Sequence, residues 1–185
     1  MKTDKKLTGT AGEHYVCAAL ARRGWAPALT RDGLKRVDIL AINTETQAMV
    51  SIQVKTTMAD NFTLGNVPLA QADNEWYVLV RIGTTPNAPV ECFVVPRDHV
   101  AAASWIGHHL WLTDPEVPVG KRNTPVSGSR VKSWVFDGYK ERWDLLGSRT
   151  DDAPVLLPPQ HREFSQLDRV GLPAGHPWRE TLPQW

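Results

Sequence analysis

The chain is predicted to be an α/β domain, a central mixed β-sheet flanked by helices, followed by an irregular proline-rich C-terminal extension. Three observations carry that expectation. Val50-Ser51-Ile52-Gln53-Val54-Lys55 alternates apolar and polar side chains at the two-residue period of a strand, and Val37 to Ile42 is an apolar, β-branched run just before it. Residues 8 to 23 carry apolar side chains at helical spacing, with Gly24 placed to end them. Glu75 to Ile82 and Glu91 to Val95 are two more strand-like runs, followed by helical spacing to about Leu112.

Thr8 or Thr10 supplies an oxygen able to cap the first helix, which should reach about Arg23. On it Glu13 is followed by Val16, Cys17 and Leu20, the neighbours on its own face, so its carboxylate lies on the stripe that packs on the sheet. A carboxylate there is costly to bury unless it meets a hydrogen bond, a cation or a metal. In the hairpin that follows, Asn43-Thr44-Glu45-Thr46 has the polar character of the loop. Ser51, Gln53 and Lys55 then share one face of their strand while Val50, Ile52 and Val54 share the other. Closing the hairpin at this loop lets Asp38 reach the Gln53 and Lys55 face, with the register left open.

Asn61 to Asn74 is a polar connection bearing Gly and Pro, and Gly83 to Pro89 is rich in breakers. Pro96 ends the strand before it. Asp98 is placed to cap a helix on which Val100, Ser104, Trp105, His108 and Leu112 approximate helical spacing. Beyond Thr113 the pattern thins: Pro115, Pro118, Gly120 and Pro125 mark an exposed loop that includes Lys121 and Arg122. Ser133 to Phe136 reads as a short strand, and Tyr139 to Leu146 as a short helix with Trp143 on its apolar side. From Asp151 prolines accumulate, so the segment is expected either to wrap the domain or to remain partly disordered, with few residues joining a compact core, although Trp178 and Trp185 favour docking on a surface, the domain's own or a partner's. The chain thus divides into a core over 1–112, a loop-rich extension over 113–150 and a proline-rich tail over 151–185.

Whole-chain properties narrow the function. At 185 residues the chain suits one domain with an appendage. No run of about 18 apolar residues exists and the N-terminus leads straight into a helical pattern, so neither a membrane span nor a secretory signal is expected, and the location is read as cytoplasmic. Cys17 and Cys92 fall in apolar periodic segments and read as reduced core residues. His108 and His109 point about a hundred degrees apart on a helix and would not chelate together. His99, His161 and His176 show no ligand spacing, and no phosphate-binding glycine pattern occurs.

The order helix, strand, strand, with Gly12-Glu13, then Asp38, then Gln53-Val54-Lys55, resembles the PD-(D/E)XK nuclease superfamily, whose members share the restriction-endonuclease-like fold. More narrowly, "VDIL", "IQVKT", "WYVLV" and "CFVVP" are similar to the group I intron-associated endonucleases, in which glutamine replaces the second acid. The resemblance covers roughly residues 7 to 112. It implies a metal-dependent DNA endonuclease using Mg²⁺ or Mn²⁺. Asp38 would be the central ligand, Gln53 and the carbonyl of Val54 would complete part of the shell, Glu13 would act through water or a second ion, and Lys55 would assist the attacking water. Val37 stands where the motif carries proline, and Gln53 removes one negative charge from the ion's surroundings. The implied substrate is duplex DNA, and cutting both strands would favour a homodimer or higher homo-oligomer.

A net charge of +1 is low for a nucleic-acid protein, because phosphate neutralisation calls for clustered Lys and Arg. The distribution softens this objection. Arg22, Arg31, Lys35 and Arg36, with Ser51 on the Gln53 face and Lys121 and Arg122 further on, are the candidate phosphate contacts. The competing reading is a nuclease-fold module that binds nucleic acid or a protein without cutting.

Overall fold

The computed structural model describes residues 4–30, 36–118, 125–128, 130–166, 171–183 and 185. Helix α1 spans Lys5–Ala21, starting earlier than a Thr8 or Thr10 cap would allow, because Asp4 is the cap: its Oδ1 accepts from the Lys6 amide at 2.8 Å. Gly24, at a φ of 79°, then turns the chain into β1, Trp25–Leu29. The sequence reading had no strand there, since Trp-Ala-Pro-Ala-Leu offers no β-branched residue. Its position at the sheet edge is what lets it keep Pro27.

Strands β2 (Ile39–Asn43) and β3 (Met49–Thr57) form the expected hairpin. Short β4 (Asn61–Thr63) and a loop lead to β5 (Glu75–Arg81) and β6 (Glu91–Pro96). Together β1-β2-β3-β5-β6 make a five-stranded mixed sheet, in which only β3 and β5 are parallel. Helix α2, Arg97–Thr113, follows without a break. Asp98 does not cap it: Pro96 occupies that position, and Asp98 Oδ1 instead accepts from the Ala70 amide at 2.8 Å, tying down the loop before β5.

Two further expectations need correction. The strand near Ser133 lies just upstream, as β7 (Arg130–Lys132), which pairs with β4 in a separate two-stranded sheet. Ser133–Tyr139 and Trp143–Gly147 are 3-10 turns, not a strand and an α-helix, although Trp143 is buried as its place in the pattern suggested.

The tail wraps the domain and, against expectation, feeds its core. Ala153, Val155, Leu157, Leu172 and Trp178 join the same apolar cluster as the sheet, and α3 (Pro159–Gln166) lies against α2. Helix α1 covers the sheet face bearing Ile39, Ile52 and Val54. On the opposite face, Leu40, Ile42 and Met49 are exposed at the hairpin end. Among the described residues no helix is long and apolar enough to cross a membrane.

Candidate functional site

The hairpin register decides where Asp38 goes. Ile39 pairs with Ile52, and the Asp38 amide donates to the Ile52 carbonyl at 2.8 Å, so the next position brings Asp38 opposite Gln53. Residues facing each other across a ladder point to the same side of the sheet. Accordingly Asp38 Oδ2 accepts from Gln53 Nε2 at 2.5 Å and from the Val54 amide at 2.7 Å. The amide of Gln53 is oriented by this contact, because turning it over would set oxygen against a carboxylate oxygen.

The main chain opens at the same point. Pairing with β2 stops at Ile52, and β3 runs on to Thr57 beside β5. In a strand the N–H and C=O of one residue project to the same edge, so the Val54 carbonyl points the way its amide does, toward the Asp38 carboxylate. Chain that would have continued β2 backwards crosses the sheet instead: Arg36 sends its guanidinium to the Leu69 carbonyl at 2.6 Å and its own carbonyl accepts from Arg97 at 2.8 Å.

Lys55 follows on the Gln53 face, half-buried, with no hydrogen bond or ion pair among the described residues. Glu13 is half-buried on α1. Its neighbour Gly12 touches Thr56 so closely that a Cβ would fall 1.9 Å from the hydroxyl oxygen, which brings this stretch of helix to the end of β3 that outruns β2. Glu13 also adds to burial, the larger effect, in pushing the Cys17 thiol up.

Sequence reasoning missed a buried ionic group behind the pair. Arg97, 1 % exposed, meets Glu75 at 2.7 Å and lies 4.9 Å from the centre of the Tyr77 ring. Arg36 reaches Glu75 at 3.3 Å. Because Tyr77 stands beside Gln53 in the parallel ladder and Gln53 bonds Asp38, the group lies one strand away from Asp38. Burial pushes the Tyr77 hydroxyl up, Arg97 and Arg36 pull it down, and Asp38 adds a further push. No local signal announced this. Glu75 and Arg97 open a strand and a helix that read from sequence as apolar.

Of the other candidate contacts, Arg36 is spent on Glu75 and Leu69 and is not free for phosphate. Arg22 is exposed at the opposite end of the sheet, by the β2–β3 hairpin loop, where neighbouring Gly24 accepts from Thr44. Ser51 is half-buried two positions before Gln53, on its face. Arg31, Lys35, Lys121 and Arg122 lie outside the described residues.

No family model, curated protein or solved structure matches this chain. The site must therefore be read from its own chemistry. Among the described residues no group of three His, Cys, Asp or Glu is placed to hold a metal. The donors at the opening are Asp38 Oδ1, the Gln53 amide oxygen and the Val54 carbonyl, the first two left over once Oδ2 and Nε2 have bonded each other. All are hard oxygens. Such a set suits Mg²⁺ or Mn²⁺ and would leave several positions to water.

Proposed function

We propose that the chain is a metal-dependent nuclease that hydrolyses phosphodiester bonds in DNA, on a restriction-endonuclease-like version of its mixed sheet and with glutamine in place of the second acid of a PD-(D/E)XK site. The observation that carries this reading is the convergence of Asp38, Gln53 and the Val54 main chain where β3 outruns β2, with Lys55 next on the same face. A divalent ion bound there would supply the polarisation of the scissile phosphate and the acidification of the attacking water. Asp38 and Gln53 hold each other in register, so two oxygens are fixed before any ligand arrives. The Lys55 ammonium orients the water by hydrogen bonding and offsets charge on the phosphate. Buried Arg97 adds positive potential from behind, unable to leave because Glu75 and the Arg36 carbonyl hold it. Cutting both strands would take two copies, so a homodimer is part of the proposal.

A second reading is favoured by one observation: Asp38 Oδ2 already accepts two hydrogen bonds, as a purely structural carboxylate would. On that reading the domain binds nucleic acid without cutting it. Plasmid nicking separates the two. The nuclease reading expects Mg²⁺- or Mn²⁺-dependent nicking by the wild type, lost by at least about a hundredfold in Lys55→Ala and Asp38→Asn while circular dichroism stays unchanged. Salt-sensitive DNA binding with no cleavage in either metal would leave only the second reading standing.

A further inference from the structure

A second site lies far from Asp38. Between α2, β7 and α3 is a cavity of about 420 Å³, within the size range of small-molecule sites. Arg97 opens α2 over Tyr77, the ladder partner of Gln53, whereas Trp111 lies near the other end of that helix, roughly 21 Å away at the helical rise. The indoles of Trp111 and Trp134 line the cavity with Leu110 and Val131. Ala103 and Gly107 make the room: a Cβ on Gly107 would meet nothing within 4 Å.

The polar residues of the lining are Ser104, His108, Gln160 and His161, with the cations Arg130 and Lys132. Arg130 and Lys132 are exposed there, and no acidic residue lines the cavity among the described residues. His161 is 3 % exposed, yet neither ring nitrogen has a hydrogen-bond partner; the Ala103 main chain approaches the ring without reaching bonding geometry. Buried polar atoms in folded proteins are normally satisfied, so an imidazole that belongs to the cavity lining, with both nitrogens buried and unpartnered, is an exception that a ligand's donor or acceptor would relieve.

We propose that this cavity binds a planar aromatic ring carrying a phosphate, the chemistry of a nucleotide. Its base lies against the Trp111 and Trp134 indoles, its ring edge meets His161, and its phosphate meets Arg130 and Lys132. Indole faces stack on any base, and the two cations match a phosphate's charge. The proposal goes beyond the nuclease reading and stands without it, since no residue is shared between the two sites.

Calorimetric titration with AMP, adenosine and a single-stranded adenine oligonucleotide tests it. AMP should bind saturably at millimolar concentration or below, and adenosine more weakly because it lacks the phosphate. Gly107→Leu, which fills the cavity, and Trp134→Ala, which removes a partly exposed wall, should each weaken AMP about tenfold or more; Asp38→Ala should leave it unchanged. Tighter binding of the oligonucleotide than of AMP would identify the occupant as a base within a strand, the reverse order a free nucleotide. Absence of saturable binding by either probe overturns the proposal. So does binding that survives in both Gly107→Leu and Trp134→Ala, and if Asp38→Ala alone abolishes it, the nucleotide belongs to the first site. Should Gly107→Leu misfold, the Trp134→Ala result decides.

Discussion

Gln53 spends its amide nitrogen on Asp38, and this one bond sets what a change at position 53 would do. In Gln53→Glu two carboxylates would stand in contact where a donor and an acceptor now meet. Like charges that close cannot both stay ionised at no cost, so the metal-free variant should lose about 1–3 kcal/mol at neutral pH. A divalent ion between them would reverse the penalty. Thermal melts should therefore show a lower midpoint for Gln53→Glu without Mg²⁺ and a larger Mg²⁺-induced rise than the wild type gives; equal rises in both proteins would count against a metal at this position. How much was legible here follows from the spacing. Alternation along β3 is a local property, and it placed Gln53 and Lys55 on one face correctly. The Arg97–Glu75–Arg36 group depends on partners brought together from three distant segments, and no local pattern encodes that.

At the scale of elements, the tightest joint is the one between α1 and β3. Gly12 sits over Thr56 with no space for a side chain, and the Thr56 hydroxyl is buried without a partner. Helix propensity alone would favour alanine over glycine by about 1 kcal/mol. Contact should win over propensity: Gly12→Ala is expected to destabilise by about 1–3 kcal/mol through overpacking. Adding Thr56→Ala removes the hydroxyl and methyl that a Cβ would strike, so the double variant should recover part of the loss. Urea denaturation of the three variants checks this, and a Gly12→Ala as stable as wild type would show that the helix simply moves away. The hairpin was readable because two apolar strands flank a polar turn. Strands β1, β4 and β7 were not: the first relies on its edge position to carry a proline, and the other two are three-residue segments held mainly by each other. Asp98 misled for a physical reason too, since an acid in a helix's first turn can serve the helix or a neighbouring loop, and Ala70 claims it.

Across the whole molecule, three buried histidines join the tail to the rest. His176 Nδ1 accepts from the Trp178 amide, so its Nε2 carries the hydrogen and donates to the Asp98 carbonyl at 2.9 Å. Tyr139 accepts from the Leu156 amide and donates to His99 Nδ1, while His99 also packs against the Trp178 ring. These arrangements need neutral imidazoles. Burial holds His99 down to about 3 and His161 down to about 4, and lowers His176 as well. Unfolded histidines titrate near pH 6.5, so from about 6.5 downward the unfolded chain takes up protons that the folded one refuses. Stability is then full above that pH and falls below it by about 1.4 kcal/mol per pH unit per histidine, until the folded groups titrate in turn. Urea midpoints should drop clearly between pH 7 and pH 5. His161→Leu, which forfeits no hydrogen bond, should make that drop shallower, and an unchanged slope would contradict a buried neutral His161. Proline content hid the tail's part in the core: irregular chain can bury apolar side chains without periodicity, and Trp178 does so at 6 % exposure. That placement has a cost during synthesis. Sheet and α2 are made first, yet the surface of His99 that Trp178 shields stays bare until position 178 has been added, which leaves the growing domain with exposed surface of the kind that favours aggregation.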